Sequence, residues 1–201
     1  MTISRTEKAP DCASSGHPEP SVVLVLGDGS AKPAARLTRG QAVSEEGVAL
    51  RAATEGKGEG VVATRPFEEG ETVMVGFLVG ALTGNDSHAT QVGPRRWARH
   101  GGLGPMVNHS CDPNCGVRLN AEDAFDFVAR RAIGAGQEVT FDYAMRNFTI
   151  DHFPAVCLCS AAVCRGSVTG WKDLPAARKA DYGELVAPYL RTMDNEILAR
   201  P

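Results

Sequence analysis

The sequence predicts a mostly β fold with a few short helices, and two observations lead there. From Val22 onward, short apolar runs alternate with Gly, Pro, Asp and Asn, which is the spacing of many short strands rather than long helices. A clear 3.6-residue periodicity is confined to one late stretch, residues 176–190. With 201 residues, 43% hydrophobic and 22% charged, the chain is long enough for one domain with its own core and too apolar for global disorder.

In chain order, the polar and Pro/Ser-rich lead 1–20 has no periodicity and is expected to be flexible, with no function assigned to it. The β-type runs are 22–26, 48–51, 60–63, 72–79, 124–129 and 138–141. A weak helical period over 94–100 carries the basic and aromatic residues Arg95, Arg96, Trp97 and Arg99. It reads either as a clamp for an acidic peptide or as a solvated helix with Trp97 turned inward. Residues 176–190 are expected to be helical, with Pro188 near the last turn and a second short helix continuing towards Arg200.

Charge and cysteine content narrow the function classes. Lys plus Arg total 21 against 24 Asp plus Glu, a net charge of −3, so no overall basic field exists to hold nucleic acid or an anionic membrane. The apolar run 22–26 is far too short to cross a bilayer. The N-terminus lacks the basic-then-apolar order of a secretory signal, and an intracellular setting is expected. In a reducing compartment, six clustered cysteines point to metal or chemistry before disulfides.

Four segments carry chemistry. Gly56-Lys57-Gly58-Glu59-Gly60-Val61-Val62-Ala63 is Gly-rich and opens into a strand, so it can serve a close backbone approach to a ligand or a plain hairpin turn. It fails the dinucleotide fingerprint, which needs a helix to follow. Asn108-His109-Ser110-Cys111-Asp112-Pro113-Asn114-Cys115 crowds polar and thiol side chains around an Asp-Pro turn, more than a loop needs to satisfy its own backbone. Gly136-Gln137-Glu138-Val139-Thr140-Phe141-Asp142-Tyr143 is a turn feeding a strand that ends in Tyr; packing explains such a Tyr as well as catalysis does. Cys157-Leu158-Cys159 with Cys164-Arg165-Gly166 places three thiols within eight residues, and metal binding is favoured over buried free thiols.

Together, and in this order, these segments resemble the SET-domain family of S-adenosylmethionine-dependent protein lysine methyltransferases, over about residues 45 to 170. The resemblance implies a β-clip of several small sheets with a pseudoknot and a zinc-stapled, post-SET-like tail. Its layout would be a lead at 1–20, a SET domain at 21–150, the post-SET-like segment at 151–170 and a helical segment at 171–201. It further implies that Lys57, Gly58, Glu59, Gly60, Asn108, His109, Tyr143 and Leu158 bind S-adenosylmethionine. Asn108 and the backbone near Glu59 would take the methionine end, and His109 would lie near the adenine. Tyr143 would stand at the methyl-transfer point, with Phe141 setting methyl number and leaving room for di- and trimethylation. Cys111, Cys157, Cys159 and Cys164 would hold structural zinc, with His152 a spare ligand, Cys115 packed as a small hydrophobe and Cys12 in the lead.

The chemistry suits these residue types. A lysine of reference pKa near roughly 10.4 must lose a proton, which an apolar channel next to a sulfonium favours through desolvation and like-charge repulsion. Positioning then carries most of the rate, and a Tyr hydroxyl can orient the amine where Phe cannot. Two departures from the family pattern stand out. Phe77 is the nearest aromatic after Gly70-Glu71, where relatives carry Tyr, and Glu59 replaces an aromatic, leaving Leu158 or Trp171 to cover the adenine. The acceptor is expected to be a protein or peptide lysine, histone or non-histone. A small amine, a microbial non-histone substrate or a catalytically weak binding module are the alternatives. A Cys/His hydrolase built on Cys111 and His109 is disfavoured by their two-residue spacing on a strand.

Overall fold

The structure, a computed structural model, describes residues 44–52, 58–86, 89–151 and 156–198. The expected lead, the 22–26 run, Cys12, Lys57, His152 and Arg200 lie outside the described residues. The first strands in chain order are β1 (Ser44–Glu45), β2 (Val48–Arg51), β3 (Gly60–Ala63), β4 (Thr72–Met74), β5 (Leu78–Leu82), β6 (Thr90–Gly93) and β7 (Arg96–His100). They are followed by β8 (Asn108–His109), β9 (Cys115–Leu119), β10 (Phe125–Ala129) and β11 (Thr140–Phe141), then the helices α1 (Ala176–Asp181) and α2 (Pro188–Leu198). Among the described residues these strands form four small sheets, ordered β1-β2-β3, β4-β10-β9, β5-β7-β6 and β11-β8, so the expected mostly β architecture with few short helices is found.

The sheets share one core. β10 is buried along its whole length because it is the central strand of its sheet and is covered on both faces. Phe125, Phe127, Phe141, Val61, Val117, Val139, Met145 and Leu190 are all fully buried, and each buried Phe contributes roughly 1.5–3 kcal/mol. The β11–β8 pair is parallel, setting Thr140 beside Asn108 and Phe141 beside His109. That pairing joins the Asn-His-Ser-Cys segment to the segment ending in Tyr143, although more than thirty residues separate them.

Three local expectations change. The weak helical period over 94–100 gives way to a strand: Pro94 and Arg95 form the turn of the β6–β7 hairpin, Gly93 pairs with Arg96, and buried Ala98 and His100 alternate with half-buried Trp97 and Arg99. Alternation therefore wins over the helical reading, which seven residues were too few to exclude. The single run expected over 72–79 is broken between β4 and β5. Gly76 lies so close to β10 that a Cβ there would stand 2.1 Å from the Phe125 carbonyl oxygen. Its N–H donates to Asp126 Oδ1 at 3.1 Å and its carbonyl accepts from Asn120 Nδ2 at 2.9 Å, so the chain leaves one sheet here and enters the next. Finally, the helix expected over 176–190 is two helices. Gly183 adopts φ +52°, and Pro188 starts α2 rather than ending α1, as its missing N–H and fixed φ allow at a first helical position.

The segment between the helices packs against the sheet. Val117 N–H of β9 donates to Leu185 O at 3.1 Å and Ala187 N–H donates to Met145 O at 2.7 Å, with Tyr182, Val186, Ala187 and Leu190 buried.

His100, at the end of β7, gives a test of this core. It is buried, its ring stacks on Phe125 with 6° between planes, and Nε2 accepts from the Phe125 N–H at 3.4 Å. Burial first, and then the charge of Arg146, push its pKa from 6.5 to about 3. Between those values the unfolded chain binds the proton and the folded one does not. The stability contributed by the neutral ring is therefore complete above 6.5 and lost as pH falls towards 3. Between pH 7 and pH 5, urea unfolding should show a loss of stability about 2 kcal/mol larger in the parent than in His100→Gln; equal losses in both proteins would contradict the burial argument.

Candidate functional site

The site is assembled by the β8–β11 pair and the start of β3. Val139 N–H donates to Val61 O at 2.8 Å and Ala63 N–H to Gln137 O at 2.9 Å, so the Gly-rich strand lies alongside the segment that leads to Tyr143. Asn108 Nδ2 donates to the Glu59 carbonyl at 3.1 Å and to Glu138 Oε1 at 2.8 Å. Glu138 is also paired with Arg51 at 3.0 Å. A Cβ at Gly60 would stand 2.7 Å from Glu138 Oε1 and 2.8 Å from Asn108 Nδ2, so a side chain here would displace those two groups. Gly58, Glu59, Gly60 and Asn108 therefore meet in one place, with Gly58 and Glu59 exposed.

Tyr143 opens a 3-10 turn, Tyr143–Met145, capped by the Asp142 carboxylate, which accepts from the Ala144 N–H at 3.1 Å. Its ring is wedged between His109, edge-on at 5.3 Å, and Phe141, tilted at 5.0 Å. Its hydroxyl donates to the Val107 carbonyl at 3.2 Å. Burial above all raises its pKa, so the phenol stays neutral. Phe141 is fully buried, packs edge-on against Phe127 at 5.2 Å and carries the Arg146 guanidinium 4.8 Å from its ring centre. Arg146 is itself buried, and its Nε and Nη1 have no hydrogen-bond partner.

His109 turns inward. Its Nδ1 accepts from the Tyr143 N–H at 3.3 Å, and Nε2 lies 3.4 Å from Cys111 Sγ, which assigns the proton to Nε2. The two-residue spacing thus does bring imidazole and thiol together, contrary to expectation. Burial depresses its pKa to about 4, with Asp142 raising it and Arg165 lowering it to smaller extents. The resulting neutral ring suits the acceptor role of Nδ1.

The four thiols of Cys111, Cys157, Cys159 and Cys164 lie within 4.8 Å of one another, Cys111 and Cys157 at 3.9 Å. A tetrahedron with Zn–S near 2.3 Å needs sulfurs roughly 3.8 Å apart, so this donor set fits zinc. Main-chain N–H groups point at the sulfurs: Cys111 N–H at Cys159, Arg165 N–H at Cys111 and Gly166 N–H at Cys164, at 3.4–3.5 Å. Such donors favour thiolates. Burial pushes the Cys157 thiol up to about 12, whereas at Cys159 burial is outweighed by the Cys111 and Ala161 N–H groups and the neighbouring thiols, and its pKa falls to about 6. Cys115 is fully buried in the core, where burial pushes its pKa up to about 12.

Leu158, between two of these cysteines, is exposed, whereas Trp171 is buried with its indole N–H on Asp194 at 2.7 Å and is not free to cover a nucleoside. Sequence reasoning missed Asp142, Arg165 and Tyr182 as a linked group. Arg165 donates to the fully buried Asp142 carboxylate through both terminal nitrogens, at 2.6 and 3.0 Å, and Tyr182 OH donates to it at 2.6 Å. The Asp before Tyr143 and the Arg after Cys164 were both in quoted motifs; nothing local showed that they pair.

Comparison with known proteins agrees with this arrangement. The SET domain profile matches residues 58–144. Over 88 residues, 34% of this chain and 22% of the relative, the sequence is 41% identical to histone-lysine N-methyltransferase SUV39H2 of Homo sapiens. It is 37% identical over 68 residues to the histone-lysine N-methyltransferase, H3 lysine-4 specific, of Mycosarcoma maydis, covering 32% of this chain and 5% of that one. Histone-lysine N-methyltransferase Set2 of Drosophila melanogaster is 34% identical over 84 residues, 40% of this chain and 4% of that one. The matched region thus spans about a fifth of the length of the first of these relatives and far less of the others. The Gly-rich strand, the Asn-His-Ser-Cys segment and the Tyr143 turn are all brought together inside the matched region, so the SET domain similarity, over residues 58–144, coincides with the assembled site.

Proposed function

We propose that this chain is an S-adenosylmethionine-dependent protein-lysine N-methyltransferase with a histone or other protein lysine as acceptor. The observation that carries the reading is the meeting of Asn108, the Glu59 carbonyl, Phe141 and Tyr143 through the parallel β8–β11 pair. The relatives, all named histone-lysine methyltransferases, suggest the acceptor class. In this reading the protein works inside the cell, and the zinc held by Cys111, Cys157, Cys159 and Cys164 is structural.

Bound S-adenosylmethionine supplies an electrophilic methyl group on a positively charged sulfur. The main chain at Gly58–Gly60 and the amide of Asn108 hold its amino-acid end. The His109 ring is committed to Tyr143 and Cys111, so its contribution to the nucleoside falls to its main chain, with exposed Leu158 as an apolar cover. The acceptor lysine loses its proton to solvent as it enters a dry channel, because burial disfavours the ammonium. The Tyr143 hydroxyl, whose proton goes to Val107, accepts an N–H of the amine and aims the nitrogen lone pair. Orientation of this kind lowers the barrier without any acid–base step by the protein.

The reading is tested by calorimetric titration of S-adenosylmethionine into zinc-loaded protein, followed by mass spectrometry of a histone H3 tail peptide incubated with both. Binding at about micromolar affinity and a methyl increment on lysine are expected; zinc-loaded protein that binds no cofactor refutes it. Product number gives a further prediction. Phe141 is fully buried, with Phe127 and Arg146 against its ring and Tyr143 5.0 Å away, so in this reading a hydroxyl added by Phe141→Tyr takes up methyl space beside the amine. The variant should shift products towards monomethyl-lysine, and an unchanged distribution would remove Phe141 from this role.

A further inference from the structure

We propose that Arg165 is a positioning residue for Tyr143, transmitting the order of the four-thiol tail to the tyrosine-bearing turn through the buried Asp142 carboxylate. The inference rests on the methyltransferase reading of Tyr143 for its purpose but not for its geometry.

Asp142 immediately precedes Tyr143 and is fully buried. A carboxylate in that position is costly unless hydrogen-bonded throughout, and its side-chain donors come from two distant parts of the chain. Arg165 supplies Nη1 to Oδ2 at 2.6 Å and Nη2 to Oδ1 at 3.0 Å. Tyr182, from the helical segment, adds its hydroxyl at 2.6 Å, and the Ala144 N–H of the adjoining turn adds a bond at 3.1 Å. The forked, two-point contact fixes the plane of the carboxylate, which a single point charge cannot do. With that plane fixed, the cap on Ala144 holds the 3-10 turn, and the turn sets where the Tyr143 ring leaves the backbone.

Arg165 is in turn tied to the thiols. It follows Cys164, and its own N–H donates to Cys111 Sγ at 3.4 Å. A second route reaches the same sulfur, since the Tyr143 N–H is held by His109 Nδ1 and His109 Nε2 touches Cys111 Sγ. Tyr143 is thus referenced to Cys111 both through its N–H and through the residue before it. The four-thiol tail does more than wall a pocket: it defines the register of the hydroxyl that faces the amine.

Arg165→Lys keeps the charge and loses the fork, while Arg165→Gln combined with Asp142→Asn removes the ion pair without leaving a lone buried charge. Both variants retain all four cysteines. In zinc-loaded protein each should hold its metal and bind S-adenosylmethionine within about twofold of the parent, while amide exchange at Tyr143 and Ala144, followed by NMR, accelerates about tenfold or more. For H3 tail peptide, kcat should drop about tenfold with KM unchanged. Unchanged exchange at both amides overturns the proposal whether or not the chain transfers methyl groups, as does a loss of kcat that merely follows loss of zinc. Accelerated exchange in a protein whose parent methylates no lysine supports the link to Tyr143 and overturns the methyltransferase reading instead.

Discussion

Tyr143→Phe loses methyl transfer by about a hundredfold or more, while S-adenosylmethionine affinity stays within about twofold. The ring itself should remain where it is, because His109 at 5.3 Å and Phe141 at 5.0 Å hold it from two sides and the backbone N–H stays on His109. What disappears is the hydroxyl, which sits 3.2 Å from the Val107 carbonyl. Losing that bond costs the fold about 1 kcal/mol, which is far less than the catalytic loss. Single-turnover rates with a lysine peptide, calorimetry with the cofactor and a thermal melt separate the three quantities. A variant that is as active as its parent would sink the role of Tyr143; one that fails to bind cofactor would mean that the hydroxyl serves cofactor binding rather than methyl transfer.

The second large effect comes from Cys159→Ser. Structural zinc in small sites contributes roughly 10–16 kcal/mol of apparent binding free energy, and a serine hydroxyl does not replace a thiolate at neutral pH. Zinc measured per chain should fall from about one to about a tenth or less. The loss should spread, since the same tail carries Leu158 and the Arg165 that grips Asp142. Cofactor affinity is expected to fall about tenfold or more together with the metal. Treating the parent protein with a chelator should reproduce both effects. Cys115→Ala, a change in the core away from the cluster, should keep the zinc, and a Cys159→Ser protein that kept both metal and cofactor would refute the bridge between tail and site.

Much of the fold was legible locally and some was not, for reasons of length and range. Runs such as Val48–Arg51 and Gly60–Ala63 were readable because turn residues bound them closely on both sides. Residues 94–100 misled because seven residues fit a helix and a strand almost equally well; the hairpin turn at Pro94 and Arg95 and the pairing of Trp97 with Leu82 decided for the strand. The break at 75–77 was invisible because it depends on how near Gly76 comes to Phe125, on a strand about fifty residues away. Pro188 was assigned to the wrong side of a helix boundary, since a proline near a helix end fits either terminus until the partner surface is known. The helix it begins is anchored when the Ala187 N–H just ahead of it donates to Met145 O.

The sequence by itself determined which chemistry this protein can hold: thiols at metal-binding density, a Gly-rich turn opening into a strand, an Asn-His-Ser-Cys segment and a strand-terminal tyrosine. These are local properties of composition and spacing, and they survive any uncertainty about topology. Only the tertiary structure decided how they are connected. Cys111 joins cysteines some fifty residues further on, the parallel β8–β11 pair sets Phe141 beside His109, and Arg165 reaches back to clamp the residue before Tyr143. Each of these depends on a long chain closure whose entropy is repaid by the shared core rather than by the residues that meet, so no local pattern in the sequence announces it.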